Sequence, residues 1–309
     1  MVEQPVDIPV RKSFSPGELF LPVLRQWYAF KARYRNFRIS AGTTRLLGPQ
    51  YRRSRERIEI DITYVCNLRC LNCNRSISQA PEKLHISLSR IRQFVDESIA
   101  RGKRWKGIRV LGGEPTLHPE FLPITEELLR YQQWDPDCII TVVSNGYGKA
   151  VNEMLKKVPS SIQIENTSKT GNLQPSFGAF NVAPVDDPKF ANADFRNGCD
   201  IMENCGMGLT PLGYYPCAVA GGIDRIAGKN LGSAALPADD DDMLGAASEL
   251  CRLCGHFRDG HCAPPEMRPI LLKQEMSPTW TAMFESRKTI RLAQRHTADQ
   301  AQKDEVQVE

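Results

Sequence analysis

Ile58-Glu59-Ile60-Asp61-Ile62-Thr63 runs almost directly into Cys66-Asn67-Leu68-Arg69-Cys70-Leu71-Asn72-Cys73, and these two stretches decide how the chain is read. Isoleucine at every second position predicts a short strand. A loop leaving the end of a strand can gather three thiolates, here in a C-x3-C-x2-C run. Thiolates are soft ligands suited to iron–sulfur chemistry, whereas a structural zinc site normally takes four protein ligands. Three cysteines around a four-iron cluster leave one iron free for another ligand. The same three with a distant fourth ligand would make a plain metal clip.

Further strands and helices follow. Ile108-Arg109-Val110-Leu111 reads as a strand ending in Gly112-Gly113-Glu114-Pro115-Thr116. Paired glycines permit a close backbone approach, and Pro115 stops strand pairing. On its residues alone this is a strand-end turn carrying a carboxylate. Cys138-Ile139-Ile140-Thr141-Val142-Val143 is apolar and β-branched, as a buried parallel strand requires, and Ser144-Asn145-Gly146 comes next. Taken singly, Asn145-Gly146 is a turn. Ser161-Ile162-Gln163-Ile164-Glu165-Asn166 is the next strand candidate and would bring Glu165 and Asn166 to the same open end. Between them, Ser87 or Ser89 caps a helical segment with Ile91, Phe94, Val95, Ser98 and Ile99 along one side. Phe121, Ile124, Leu128 and Leu129 mark a second helix within Glu120 to Tyr131, and Val151, Met154 and Leu155 a shorter one within Ala150 to Val158. Strands alternating with helices predict right-handed βα units around a largely parallel sheet.

The combination resembles the radical S-adenosylmethionine (radical SAM) enzymes. The resemblance implies an α/β fold, a partial (β/α)6 barrel with cluster and cofactor at the C-terminal ends of the strands. It implies that Cys66, Cys70 and Cys73 are the catalytic, metal-ligating residues of a [4Fe-4S] cluster. S-adenosylmethionine would chelate the fourth iron, and its reductive cleavage would give methionine and a 5'-deoxyadenosyl radical that removes a hydrogen atom from substrate. On the same ground Gly112, Gly113, Glu114 and Pro115 are assigned to the amino group of the cofactor, and Ser144, Asn145 and Glu165 are further cofactor-binding residues. A flavodoxin- or ferredoxin-type protein would be the electron donor. The chain departs from the family at Asn72, where many members carry an aromatic residue near the adenine. A polar contact replaces stacking there, or the adenine is held differently.

Six further cysteines occupy the second half: Cys199, Cys205 and Cys217, then Cys251, Cys254 and Cys262. Their close spacing leaves a disulfide framework, a zinc site or an iron–sulfur cluster open. Met1-Val2-Glu3-Gln4-Pro5 lacks a basic region followed by an apolar core, so no secretory leader is expected. The region resembles the auxiliary-cluster extensions called SPASM and twitch domains, which implies one auxiliary [4Fe-4S] cluster in a small, shortened C-terminal cysteine-rich domain. The twitch comparison selects Cys199, Cys217, Cys251 and Cys254; the SPASM comparison keeps Cys205 and draws in Cys262. A thiol left over at Cys205, Cys262 or Cys138 would be placed to donate hydrogen to a substrate radical, while the plain reading of Cys138 is a buried core residue.

Composition fits an enzyme of the reducing cytoplasm. The 309 residues hold 40 Lys and Arg against 36 Asp and Glu, a net charge of +4 that gives no global bias toward nucleic acid. No apolar run of about 18 residues offers a membrane span. Ten cysteines suit cluster ligation in a reducing compartment. The expected organisation is an N-terminal collar at 1–55, a radical SAM core at 56–190, an auxiliary-cluster domain at 191–265 and a helical extension with a polar tail at 266–309. In the collar, Tyr28, Phe30, Tyr34 and Phe37 interleave with Lys31, Arg33, Arg35 and Arg38. The collar is expected to be amphipathic, packed on the barrel with its basic side chains at the surface; contact with RNA or an anionic substrate is the alternative. Asp239-Asp240-Asp241-Asp242 is expected to be a solvated loop leading into a helix. The leading function is radical chemistry on a small metabolite or natural-product intermediate, by dehydrogenation, epimerisation or rearrangement. Maturation of a ribosomally made peptide is the second reading, and a non-catalytic iron–sulfur or zinc protein the third.

Overall fold

A computed structural model describes residues 21–70, 73–77, 80, 83–169, 180–261 and 276–287 of the chain. Asn72 and Cys262 lie outside the described residues.

Four strands follow the expected βα rhythm: β1 (Arg57–Thr63), β2 (Gly107–Gly112), β3 (Ile139–Ser144) and β4 (Gln163–Asn166). They are joined by helices α3 (Leu88–Ala100), α4 (Phe121–Trp134) and α5 (Lys149–Leu155), numbered after two N-terminal helices, α1 (Leu21–Arg38) and α2 (Ala41–Leu47). All pair in parallel, with Ile58 opposite Ile108 and Ile108 opposite Ile140. Ser87 is the residue that caps α3, accepting a hydrogen bond from the Arg90 amide at 3.2 Å.

The alternation in β1 has a direct consequence. Ile58, Ile60 and Ile62 are fully buried, and join Ile108, Val110, Ile140 and Val142 in one core with Ile91, Phe94, Ile124 and Leu128. Fully burying each such side chain contributes about 1.5–3 kcal/mol. Ser98 sits in this core because its hydroxyl accepts from Trp105 Nε1 at 3.0 Å and donates to the Phe94 carbonyl at 2.7 Å.

Among the described residues the sheet has six strands in the order β4-β3-β2-β1-β5-β6, where β5 is Met207–Thr210 and β6 is Gly213–Tyr215. The cysteine-rich region supplies the last two. β5 runs parallel to β1 and β6 antiparallel to β5, so the sheet is mixed. Met207 and Leu209 enter the first core, and helix α7 (Ala218–Ala227) packs across β5. A second core gathers Cys199, Cys217, Cys251 and Cys254 with Phe180, Phe257 and Trp280. It includes residues of helices α6 (Ile201–Asn204), α7 and α8 (Leu244–Cys251).

Two expectations are corrected. In α1 the basic side chains are not all at the surface: Arg35 and Arg38 are buried, whereas Phe30, Tyr34 and Phe37 are exposed. Arg35 donates to the Phe257 carbonyl at 2.5 Å, the Gly198 carbonyl at 3.0 Å and Gln50 Oε1 at 2.8 Å. A planar fork of donors can satisfy several buried carbonyls at once, so this arginine acts as a clamp to the cysteine-rich region. The Asp239–Asp242 run does precede a helix, but it is held as well as solvated. Arg55 donates to Asp242 Oδ1 at 2.5 Å, Lys103 pairs with Asp239, and buried Arg53 donates to the Asp241 carbonyl at 2.5 Å.

Candidate active site and cysteine cavity

The C-terminal ends of β1, β2 and β3 are tied together by the residues singled out in the sequence. Gly113 N donates to Thr63 O at 2.7 Å and Glu114 N to Val65 O at 2.8 Å, so the turn after β2 continues pairing into the cysteine loop. This requires glycine. Gly112 has φ +131, and a Cβ there would overlap the Thr63 carbonyl; a Cβ on Gly113 would overlap that of Val65. Pro115 opens a short 3₁₀ turn where its missing N–H is not needed.

Glu114 is fully buried. Its carboxylate accepts from Thr116 Oγ1 at 2.8 Å, Ser144 Oγ at 2.9 Å and Asn145 N at 2.8 Å, joining the turn after β2 to the end of β3. Burial raises its pKa, and these donors oppose the rise. Asn145 reaches the cysteine loop in turn, donating through Nδ2 to Asn67 Oδ1 at 2.8 Å and to Cys66 Sγ at 3.7 Å. The Leu68 amide also donates to Cys66 Sγ, at 3.4 Å. Burial pushes the Cys66 thiol up to about 11, and nearby Cys73, Glu114 and Cys70 push it further in the same direction. The three cysteines therefore share one electrostatic neighbourhood. Cys70 is buried; Cys66 and Cys73 are partly exposed.

Beneath this loop lies a charged layer that reading the sequence missed, apart from Glu165. Glu59 and Asp61 face away from the isoleucine core. Arg75 donates to Glu59 at 2.5 Å and Asp61 at 3.3 Å, while Arg109 bridges Glu59 at 2.7 Å and Glu165 at 3.0 Å. Arg225 of α7 lies 3.9 Å over the Tyr64 ring and donates to the carbonyls of Arg75 and Ser76 at 2.9 and 2.8 Å. That clamp fixes the chain just past Cys73. The available signal was the acid at each second position of β1: in a sheet covered on both faces, such acids must find cations.

The later cysteines separate into two groups. Cys199, Cys217, Cys251 and Cys254 line one cavity with Ile201, Met202, Val219, Ile223, Leu250 and Phe257. Burial pushes Cys217 up to about 11 and Cys254 to about 12, and holds Cys199 and Cys251 well above the usual thiol range. Cys254 Sγ lies 3.5 Å from His256 Nδ1. Cys205 does not line this cavity; burial, then Glu59, raises it to about 12, against Arg109 and Arg75. It packs at the edge of the second core, on the side of Glu59, Arg109 and Arg75. Cys138 is in the core beside the opposite end of β3. The nine described cysteines are all free thiols.

Among the described residues, no three His, Cys, Asp or Glu side chains converge as a single-ion site. Tetrahedral zinc needs sulfurs about 2.3 Å from one point. Four thiols lining one apolar cavity are a donor set that an iron–sulfur cluster would take.

Residues 60–164, from β1 to β4, match the family model of the Radical SAM superfamily. The match covers about a third of the chain and supports a radical SAM core there. It is 32% identical over 129 residues to the GTP 3',8-cyclase of Mannheimia succiniciproducens, covering 40% of this chain and 36% of that protein. The GTP 3',8-cyclase of Actinobacillus succinogenes is 32% identical over 108 residues, covering 32% of this chain and 29% of that protein. The chain thus spans about a third of the length of these relatives. The solved structure of BtrN in complex with AdoMet and 2-DOIA aligns with a TM-score of 0.40 at 13% identity, over 65% of this chain and 92% of that one. The family match and the similarity to proteins named as cyclases support enzymatic activity. No described helix is long and apolar enough to cross a membrane.

Proposed function

We propose that the chain is a radical SAM oxidoreductase or epimerase acting on a small polar metabolite or natural-product intermediate. The observation that carries this reading is the knitting of the Cys66 loop, the Gly112–Pro115 turn and Ser144–Asn145 at one end of three parallel strands. Cys66, Cys70 and Cys73 would hold the catalytic [4Fe-4S] cluster, leaving one iron for S-adenosylmethionine. When bound, cluster and cofactor supply reductive cleavage that removes a hydrogen atom from substrate. The protein's part is position: Glu114 fixes the turn and the end of β3, Asn145 orients the loop, and Arg225 holds its far side. The partly exposed Arg109–Glu165 pair offers a polar floor, which favours a substrate carrying hydrogen-bonding or charged groups over an apolar one.

Cys199, Cys217, Cys251 and Cys254 would hold one auxiliary [4Fe-4S] cluster in a twitch-like arrangement, supported by their common cavity. Curvature into a partial (β/α)6 barrel, a cytoplasmic setting and a flavodoxin- or ferredoxin-type donor belong to the same reading. Dehydrogenation, epimerisation and rearrangement are the reaction types proposed.

The test is iron and sulfide content of anaerobically reconstituted chain beside a Cys66→Ala/Cys70→Ala/Cys73→Ala variant, with 5'-deoxyadenosine measured after reduction with S-adenosylmethionine. About eight irons falling to about four, with nucleoside lost, is expected for two four-iron clusters. Cluster-replete wild type that forms no nucleoside would sink the catalytic reading in favour of an iron–sulfur binding protein.

A further inference from the structure

Helix α1 has one edge fixed to the cysteine cavity and another edge bare. On the fixed edge, the Arg35 guanidinium lies 4.8 Å from the centre of the Phe257 ring and donates to the Phe257 and Gly198 carbonyls. Phe257 lines the four-cysteine cavity, and Gly198 precedes Cys199, another of its lining residues. The bare edge carries Val23, Trp27, Phe30, Tyr34 and Phe37, spaced alternately four and three residues apart, so they form one stripe. Trp27, Phe30, Tyr34 and Phe37 are 51–59% exposed, and Leu46 and Leu47 of α2 are 84% and 62% exposed. Contiguous exposed apolar surface of this kind marks an interaction site.

The charge on this face is of one sign. From Leu21 to Leu47 the two helices carry six Lys and Arg, of which Arg35 and Arg38 are buried, and no Asp or Glu, in a molecule whose net charge is only +4. Arg25, Lys31, Arg33 and Arg45 are exposed and form no ion pair among the described residues. Lys31 and Arg33 flank the aromatic stripe, and Lys31 lies 5.4 Å from the Trp27 ring centre. A second copy of the chain would set cation against cation, which costs affinity. An acidic partner with an apolar patch is complementary.

We propose that the exposed face of α1 and α2 is the docking surface for an acidic one-electron carrier protein. This rests on the reading of the cavity as an auxiliary iron–sulfur site, and it names the surface through which electrons would reach the chain. One electron leaves the reduced carrier and one enters the iron–sulfur group; no atom is exchanged. The contact of α1 with the cavity wall selects a carrier over an anionic membrane surface, which the aromatic and basic residues alone would also suit. Steering by opposite charge gives fast, weak, salt-sensitive association, as such encounters require.

The test uses the full, anaerobically reconstituted chain and a flavodoxin with a strongly acidic surface as probe. Binding is followed by calorimetry or biolayer interferometry across ionic strength, for wild type, Lys31→Glu/Arg33→Glu and Phe30→Ser/Tyr34→Ser, each checked for unchanged circular dichroism. Wild type should bind, with affinity falling as salt rises, and each double variant should bind at least about tenfold more weakly. 5'-Deoxyadenosine formation should drop in the variants when reduced flavodoxin supplies electrons and stay at the wild-type level with dithionite. Equal binding by wild type and both variants, or binding to vesicles rich in phosphatidylserine but not to flavodoxin, overturns the proposal. Iron content of a Cys251→Ala/Cys254→Ala variant tests the cavity reading separately: if iron is unchanged there while the docking variants still lose flavodoxin binding, the cavity reading fails and the docking surface stands.

Discussion

At the Cys66 loop the sulfur nearest the strand ends meets amide donors from Leu68 and Asn145, and the loop is tied to its neighbours by hydrogen bonds. At the second cavity the sulfurs of Cys199, Cys217, Cys251 and Cys254 face mainly aliphatic and aromatic side chains, with His256 as the polar neighbour. The first is partly open and polar; the second is closed and apolar. On the proposed reading that contrast has a chemical meaning. An open polar rim admits an outside ligand to an iron lacking a protein thiolate, while four buried thiolates close a cluster off and leave it only electrons to exchange.

The largest effect should come from the cysteines themselves. Cys66→Ala, Cys70→Ala or Cys73→Ala should each remove 5'-deoxyadenosine formation altogether in reconstituted protein, measured by chromatography. Cys199→Ala/Cys217→Ala should lower iron by about four per chain yet leave dithionite-driven nucleoside formation detectable. If both sets abolish it equally, the two sites are one functional unit and the contrast is lost. Cys205→Ala should leave iron content unchanged, because Cys205 packs at the edge of the second core and does not line the cavity.

Next come the two devices that brace these sites. Glu114→Ala would strand the Ser144 hydroxyl and the Asn145 amide in a buried place, and each buried group left unpaired costs about 1–3 kcal/mol. A loss of about 4 kcal/mol in urea unfolding is expected, together with weaker S-adenosylmethionine binding. Arg35→Met removes donors from the Phe257 and Gly198 carbonyls and should cost about 3 kcal/mol by the same reasoning, without weakening that binding. Equal loss of cofactor binding in both variants would mean that the second cavity supports the first.

Much of the first site was legible because its physics is local. The isoleucine alternation in β1, the Ser87 cap and the glycine pair at 112–113 are patterns a few residues long, and the structure uses each as such. The second site was less so. Spacing left two ligand sets open, and four of the candidates, Cys199, Cys217, Cys251 and Cys254, share one cavity. β5 and β6 are four and three residues long and contain Gly208 and Gly213, so they carry no alternation to read. The buried Arg35 was hidden for another reason: a run rich in arginine reads as surface, and only the Phe257 and Gly198 carbonyls, more than 160 residues away, make its burial favourable. Glu59 and Asp61 were visible as acids, but their cations, Arg75 and Arg109, lie on a loop and a neighbouring strand.

The smallest predicted effect probes the charged layer beneath the open site. Asp61 is fully buried, one of its oxygens has no hydrogen-bond partner among the described residues, and burial raises its pKa to about 6 although Arg75 opposes the shift. A carboxyl that holds its proton more tightly when folded binds more protons in the native state between its unfolded value, about 3.9, and 6. Stability contributed by this group is therefore present at low pH and falls as pH rises through that window, with a slope of at most about 1.4 kcal/mol per pH unit. Asp61→Asn keeps the shape without the titration. The stability of wild type minus that of the variant should decline between about pH 4 and 6 and run level above it. A level difference across the whole range would mean that Arg75 keeps Asp61 ionised when folded. The polar site would then be held by fixed ion pairs, as firmly as the cavity is held by its apolar wall.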